Sequence, residues 1–326
     1  MTTARAIRLT EFGAPDVMKL QTIDLPAPAA GEVQLRQTAI GFNFIDVYQR
    51  AGKYPLPSPT GLGHEAAGVV EALGEGVRDL RVGDRVVYMN TGVGAYASHR
   101  NVPAERMAPL PAGVSDEDAA AVFFKAMTAQ FLVKKTHRVQ PGDIVVVHAA
   151  AGGVGQILSR WCKALGATVI GTAGSAAKCE AARGAGCDAA IDYSQADWVQ
   201  QVIAATGGRK ARVVYDSVGQ HTFMGSLDCT APFGLAVLFG AASGPVPAFE
   251  PEVLNKKGCL FLTRPSVFPH NADVATIRHN AADVFEAMAS GAVVASIGAR
   301  FPLEQAADAH RLAESRGTAG AIVMTP

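Results

Sequence analysis

The sequence carries no excess charge: its 326 residues hold 29 Lys and Arg against 29 Asp and Glu. No basic stripe runs along it. Proteins that bind nucleic acids cluster cations against phosphates, so a nucleic-acid partner is not expected. No apolar run reaches the roughly 18 residues of a spanning helix, which argues against a membrane partner. Residues 1–20 lack the apolar stretch of a secretory signal, and the expected location is cytoplasmic. Cysteine is sparse: Cys162, Cys179, Cys187, Cys229 and Cys259 include no C-x-x-C pair. That dispersed, odd set reads as reduced thiols acting as small buried apolar residues.

What the chain does have is apolar content, 49% of residues, with 34 Gly and 18 Pro scattered as turn punctuation. That is enough for one large or two medium domains. The first third reads as short strands at residues 4–10, 19–24, 32–40, 66–73, 85–89 and 95–100, parted by Gly, Pro and Asp, which predicts a β-rich, barrel-like domain. The texture then changes. A helix is predicted at 115–135 with Ser115 as N-cap. Strands at 144–147, 168–171, 189–191, 213–216, 234–239 and 259–263 alternate with helices at 156–165, 176–185, 196–206 and 222–229. That alternation predicts a parallel, doubly wound α/β sheet. Residues 273–289 and 303–315 read as helices and 299–302 and 321–324 as strands. This tail is too short for a domain and is expected to return to the N-terminal one.

The strongest local signal is the run from Val145 to Gly155, Val-Val-Val-His-Ala-Ala-Ala-Gly-Gly-Val-Gly, between a predicted strand and a predicted helix. A pyrophosphate suits a helix N-terminus, where unpaired N–H groups and the helix dipole favour negative charge. Side chains must be small there for the backbone to approach the phosphates, and Gly155 lets helix and strand pack closely. NAD enzymes place an acid roughly 20 residues further on, to hold the ribose 2′-hydroxyl. Here the second strand runs into Thr172-Ala173-Gly174-Ser175, no carboxylate follows until Glu180, and Lys178 lies just past the turn. A missing acid beside a cation fits a 2′-phosphate, and therefore NADPH.

Six stretches together carry a family resemblance: Gly41-Phe42-Asn43-Phe44-Ile45-Asp46, Gly83-Asp84-Arg85-Val86, Ala149 to Gly155, Val213 to Gly219, Thr263-Arg264-Pro265 and Glu314-Ser315-Arg316. The chain resembles the zinc-lacking, ζ-crystallin-like quinone oxidoreductases of the medium-chain dehydrogenase/reductase superfamily. The resemblance implies a GroES-like catalytic domain (residues 1–125), a Rossmann NADPH-binding domain (126–265) and a C-terminal return to the catalytic domain (266–326), with the cofactor in the cleft between the domains. It implies that Asn43 and Asp46 sit beside the nicotinamide, that Lys125 and Thr128 lie near the hinge, and that Gly152, Gly153 and Val154 line the pyrophosphate. Ser175, Lys178, Tyr193 and Arg316 match positions around the 2′-phosphate and its ribose. Ser217, Phe239 and Arg264 match positions flanking the nicotinamide and its ribose. A homodimer is also implied, and the apolar segment 259–263 is a candidate sheet edge for it.

Zinc-dependent relatives ligate the metal through a Cys, a His in Gly-His-Glu and a later Cys or Asp. Asn43 stands at the first of these positions, Gly63-His64-Glu65 keeps the second, and no cysteine cluster lies between residues 80 and 115. A lone His cannot supply the three protein ligands of a catalytic zinc, so no metal is expected and His64 reads as a hydrogen-bonded turn residue. Without a Lewis acid the favoured substrate takes hydride unaided, as a quinone or an activated enone does. Tyr48 and Tyr54 follow Asn43 and are the candidate substrate contacts; with Asn43 and Asp46 they make up the expected catalytic set. An enoyl or alkenal C=C reductase and a non-catalytic NADPH-binding protein are the alternatives on the same scaffold.

Overall fold

The computed structural model describes residues 2–315 and 317–326. The chain divides into two compact units: residues 1–125 with 271–285 and 295–326, and residues 126–270 with 286–294.

The first unit is built on antiparallel strands. β1 (Thr2–Arg8) pairs with β2 (Lys19–Leu25) as a two-stranded ribbon. β3 (Glu32–Gly41), β4 (Glu65–Leu73), β5 (Arg85–Met89), β6 (His99–Pro103) and β7 (Met107–Pro109) form the main sheet. Between β3 and β4 the chain makes a short helix, α1 (Phe44–Arg50). Reading the first third as strands alone missed it, because seven residues are too few to show a helical period. The strand read at 95–100 lies later, at β6. Residues 95–97 instead run through a bend that meets β1 in an isolated bridge between Ala6 and Ala97.

α2 (Asp116–Phe131) opens with Ser115 Oγ accepting from the Asp118 N–H (3.0 Å), and three acids in its first turn suit the helix dipole. It gives way to a π-type turn at Leu132–Thr136, so the predicted helix is shorter than its pattern.

In the second unit β8 (Ile144–Val147), β9 (Thr168–Ala173), β10 (Ala189–Asp192), β11 (Ala211–Asp216), β12 (Thr230–Leu238) and β13 (Phe261–Thr263) form one parallel sheet in the order β10-β9-β8-β11-β12-β13. The helices α3 (Gly153–Ala164), α4 (Ala176–Gly184), α5 (Trp198–Ala205) and α6 (Phe223–Cys229) connect these strands, and α7 (Glu252–Lys256) precedes the last. This is the doubly wound Rossmann order, whose strand order reverses between β8 and β11. Ile144 to Val147 are all buried, as a strand covered on both faces requires. Cys259 is exposed and adopts φ 54°, which ends its candidacy both as a buried thiol and as part of the last strand. The other four cysteines are buried.

Of the tail, α8 (Val274–Ala289) is followed by β14 (Ile297–Pro302), α9 (Ala306–Glu314) and β15 (Ala321–Thr325). β15 joins the main sheet of the first unit beside β3, with Val323 opposite Gly41. Leu303, Ala306, Ala309, Ile322 and Met324 pack into that unit's core with Leu35, Ile40, Val70 and Tyr88. Residues 286–294 group instead with the second unit.

Candidate functional site

In the second unit the candidate residues gather at the C-terminal ends of the parallel strands, where open α/β sheets bind ligands. After β8 the chain turns at Ala149, which adopts φ 51°, and the Ala150 N–H reaches Thr172 O (2.9 Å) on β9. α3 then starts at Gly153 with no side-chain cap on Gly152 and no acid in its first turn. The first N–H groups of a helix have no partner inside it, so an anion is the natural complement here. Gly152, Gly153 and Val154 are half-buried and accessible. Gly155 is buried: a Cβ there would strike the Ala149 carbonyl and lie 2.8 Å from Ala150 Cα. These features fit a dinucleotide pyrophosphate.

β9 leads into the second turn. Ser175 caps α4, its Oγ accepting from the Lys178 N–H (3.4 Å), and the first turn of that helix holds no acid. The Tyr193 N–H donates to Ala173 O (2.9 Å), and its hydroxyl lies 3.1 Å from where a Cβ on Gly174 would be. The turn therefore brings Ser175, Lys178 and Tyr193 together. Arg316, grouped with them on the sequence, lies outside the described residues.

The third turn follows β11 and is organised by Asp216. Its Oδ1 accepts from the Val218 N–H (2.8 Å), the Gly219 N–H (2.9 Å) and the Thr222 hydroxyl (2.8 Å), and its Oδ2 from the Ser226 hydroxyl (2.7 Å). Its backbone carbonyl accepts from the Phe239 N–H (2.8 Å). A Cβ on Gly240 would lie 2.9 Å from Ser217 Cα, so glycine is required for the 239–240 segment to lie against the 217–219 turn. Ser217 and Phe239 are thus neighbours held by one carboxylate, and the Arg264 guanidinium donates to Leu238 O (3.1 Å) beside them. Asp216 was not among the residues singled out. An acid closing the apolar strand Val213-Val214-Tyr215 was the available signal. Thr128 is buried on α2.

The first unit assembles a different set. Asn43 precedes α1, and its side-chain amide donates to Glu65 Oε2 (2.8 Å). Glu65 is fully buried, accepts from the Phe124 N–H (2.5 Å) and lies 3.7 Å from Lys125 Nζ. Burial pushes its carboxyl up, opposed by the Lys125 ammonium and those hydrogen bonds. Gly41 makes room for it, since a Cβ there would fall 2.7 Å from the carboxyl carbon of Glu65. Asp46 accepts from the Asn43 N–H (3.0 Å) and the Tyr96 hydroxyl (3.0 Å), and Tyr96 is 3.1 Å from His310 Nε2. Burial pushes Asp46 up to about 7, against the lowering effect of its hydrogen bonds. Asp46 has no exposed surface, so it cannot touch substrate. It is a positioning residue that holds the start of α1, and this corrects its place in the catalytic set.

Tyr48 and Tyr54 do come together, with ring centroids 5.2 Å apart. Lys53 Nζ lies 5.9 Å from the Tyr48 ring centre. Tyr54 is exposed. His64 is buried and its Nε2 is 2.9 Å from Gln49 Oε1. An amide oxygen only accepts, so Nε2 carries the proton there and offers no lone pair to a metal. Burial, and secondarily Arg100, lowers the ring to about 4, leaving it neutral. Among the described residues no group of three or more His, Cys, Asp or Glu side chains could hold a metal ion.

Comparison with known proteins gives this geometry its context. Residues 29–112 match the alcohol dehydrogenase GroES-like domain and residues 153–268 the zinc-binding dehydrogenase family. The quinone oxidoreductase of Salmonella typhimurium is 46% identical over 99% of this chain and its own whole length. The 2-haloacrylate reductase of a Burkholderia species is 42% identical, over 96% of each chain. The crystal structure of Escherichia coli quinone oxidoreductase complexed with NADPH superposes with a TM-score of 0.96 at 42% identity, covering both chains completely. Fold and site define a medium-chain dehydrogenase/reductase. Within that superfamily, the chain belongs to the quinone oxidoreductase family.

Proposed function

We propose that this protein is an NADPH-dependent oxidoreductase that reduces a quinone without a metal. The observation that carries the reading is the uncapped α3 N-terminus behind Ala149, with Gly155 packed where no Cβ fits. The full-length likeness to an NADPH-bound quinone oxidoreductase supports it.

Gly152, Gly153 and Val154 would hold the pyrophosphate through backbone N–H groups. Ser175, Lys178 and Tyr193 would surround the adenosine 2′-phosphate, and Lys178 supplies the cation there. Ser217, Phe239 and Arg264 would bound the nicotinamide ribose, on a turn fixed by Asp216. NADPH, when bound, supplies the hydride. The chain's part is to orient the reactants and keep water out. In the GroES-like unit, Asn43 is held by Glu65 and by the Asp46 cap, and Lys125 offsets part of the buried negative charge. Tyr48 and Tyr54, with rings inclined 58° to each other, offer aromatic faces on which a quinone ring could stack.

A homodimer is part of this reading. β13 is the terminal strand of its sheet, and Phe261 on it and Phe233 nearby expose 62% and 63% of their surface. Such an edge is a pairing hazard unless a second copy covers it. Four buried free thiols suit a reducing, cytoplasmic setting.

The likeness to a 2-haloacrylate reductase favours a second reading, hydride addition to an activated C=C bond. The two separate in one assay: NADPH oxidation with a panel of small quinones and conjugated enones, with and without a chelator. Chelator-resistant quinone turnover is expected. Turnover of enones alone would overturn the quinone assignment in favour of the second reading.

A further inference from the structure

His148 is the last residue before the phosphate turn, and its imidazole is completely buried. Nδ1 lies 2.6 Å from Thr172 Oγ1, at the end of β9, and Nε2 lies 2.9 Å from Ser226 Oγ on α6. Ser226 Oγ in turn lies 2.7 Å from Asp216 Oδ2 and 3.0 Å from Thr222 O. The Trp198 ring packs edge-on against the imidazole at 5.4 Å.

Donor chemistry fixes the direction of every proton in this chain. Two N–H groups and two hydroxyls converge on Asp216, which fits an acceptor-only carboxylate. The single Ser226 proton goes to that carboxylate, the closer and more strongly accepting of its two acceptors. The Ser226 oxygen then accepts from Nε2–H of His148. Burial lowers the histidine below its ordinary range and keeps the ring neutral, with one N–H only. Nδ1 is therefore bare and accepts from the Thr172 hydroxyl.

The four members of the chain reach three turns of the dinucleotide site. His148 abuts the phosphate turn at 149–153. Thr172 precedes the turn that carries Ser175 and Lys178. Ser226 acts on the 217–219 turn through Asp216. We infer that His148, Ser226 and Thr172 are positioning residues for the cofactor: one ordered relay, Thr172 to His148 to Ser226 to Asp216, locks three separate turns into the arrangement NADPH requires. This inference rests on the reading of NADPH as cofactor. It adds residues that are buried behind those turns.

The test is a fluorescence titration of NADPH against wild type, Ser226→Ala, Thr172→Val and their double variant, with folding checked by thermal melting. Breaking the relay at either end should weaken binding about fivefold or more, and the double variant should lose much less than the product of the singles, because one break already uncouples the chain. Ser226→Thr, which keeps the hydroxyl, should bind like wild type. Folded single variants within about twofold of wild type, or losses that simply multiply, would overturn the inference. A wild-type protein that bound no NADPH would remove the cofactor reading, and this role with it. A second measurement needs neither cofactor nor variant: ¹⁵N NMR of labelled histidine should show His148 as the Nε2–H tautomer, and an Nδ1–H signal would contradict the relay.

Discussion

Each unit buries one aspartate at the heart of its candidate site, and the two are handled in opposite ways. Asp216 meets four donors with its carboxylate and two more, the Phe239 and Gly240 N–H groups, with its backbone carbonyl. Asp46 meets two donors on Oδ2, while its buried Oδ1 has no hydrogen-bond partner among the described residues. Both carboxyls are all but sealed from solvent, at 2% and 0% exposure, and they differ in the number of donors that meet them. A carboxylate ringed by N–H and O–H groups can stay charged in the interior, whereas one with an orphaned oxygen is driven toward the neutral acid. Asp46 is accordingly pushed up to about 7. The dinucleotide unit thus uses a carboxyl ringed by donors to tie loops together, and the GroES-like unit carries a carboxyl that burial pushes up to about 7.

Breaking the first half of that comparison should have the largest effect. Asp216→Ala leaves the Val218 and Gly219 N–H groups without their acceptor and strips the Thr222 and Ser226 hydroxyls of their carboxylate partner, and should destabilise the protein by about 3–5 kcal/mol in denaturant unfolding. An effect below about 1 kcal/mol would mean that the turn holds without its hub.

Asp46→Asn should be milder and should depend on pH. A folded-state value near 7 lies above the ordinary carboxyl range, so the folded protein binds the extra proton. The resulting stability is present at acid pH and is lost as pH rises through about 7. Asn cannot ionise. Relative to wild type, Asp46→Asn should therefore gain roughly 1–3 kcal/mol between pH 5 and pH 8, read from parallel unfolding curves. A difference that stays flat with pH would show that Asp46 is charged throughout.

The smallest change sharpens the comparison on the cofactor side. Lys178→Ala removes a single partly exposed cation and should raise the Kd for NADPH roughly three- to tenfold while leaving NADH nearly unchanged. Equal losses for both cofactors would contradict the 2′-phosphate assignment.

These two regions were also unequally legible in the sequence. The parallel sheet, its strand and helix alternation and the phosphate turn were readable, because fully buried strands appear as unbroken apolar runs and the turn demands small residues. The Ser175–Lys178 turn followed from a missing acid. The buried networks were not readable. His148, Ser226, Tyr96 and His310 are far apart in the chain and look like any structural Ser, Tyr or His until the fold brings them within hydrogen-bonding distance. α1 was hidden by its brevity, and with it the difference between Asn43 at the cap and Asp46 turned inward as a brace. Gly63-His64-Glu65 keeps the form of a metal motif, yet His64 donates to Gln49 and Glu65 receives Asn43, a reuse that no spacing rule reveals.

The most direct test of the account is a calorimetric titration of the wild-type protein and Gly155→Ala with NADPH and with NADH. Wild type should bind NADPH more tightly than NADH. Gly155→Ala, with its new methyl forced against the Ala149 carbonyl, should stay folded and lose at least about tenfold in affinity for both. A wild-type protein that bound neither, or a Gly155→Ala variant that bound both as well as wild type, would contradict the placement of the dinucleotide on the α3 turn.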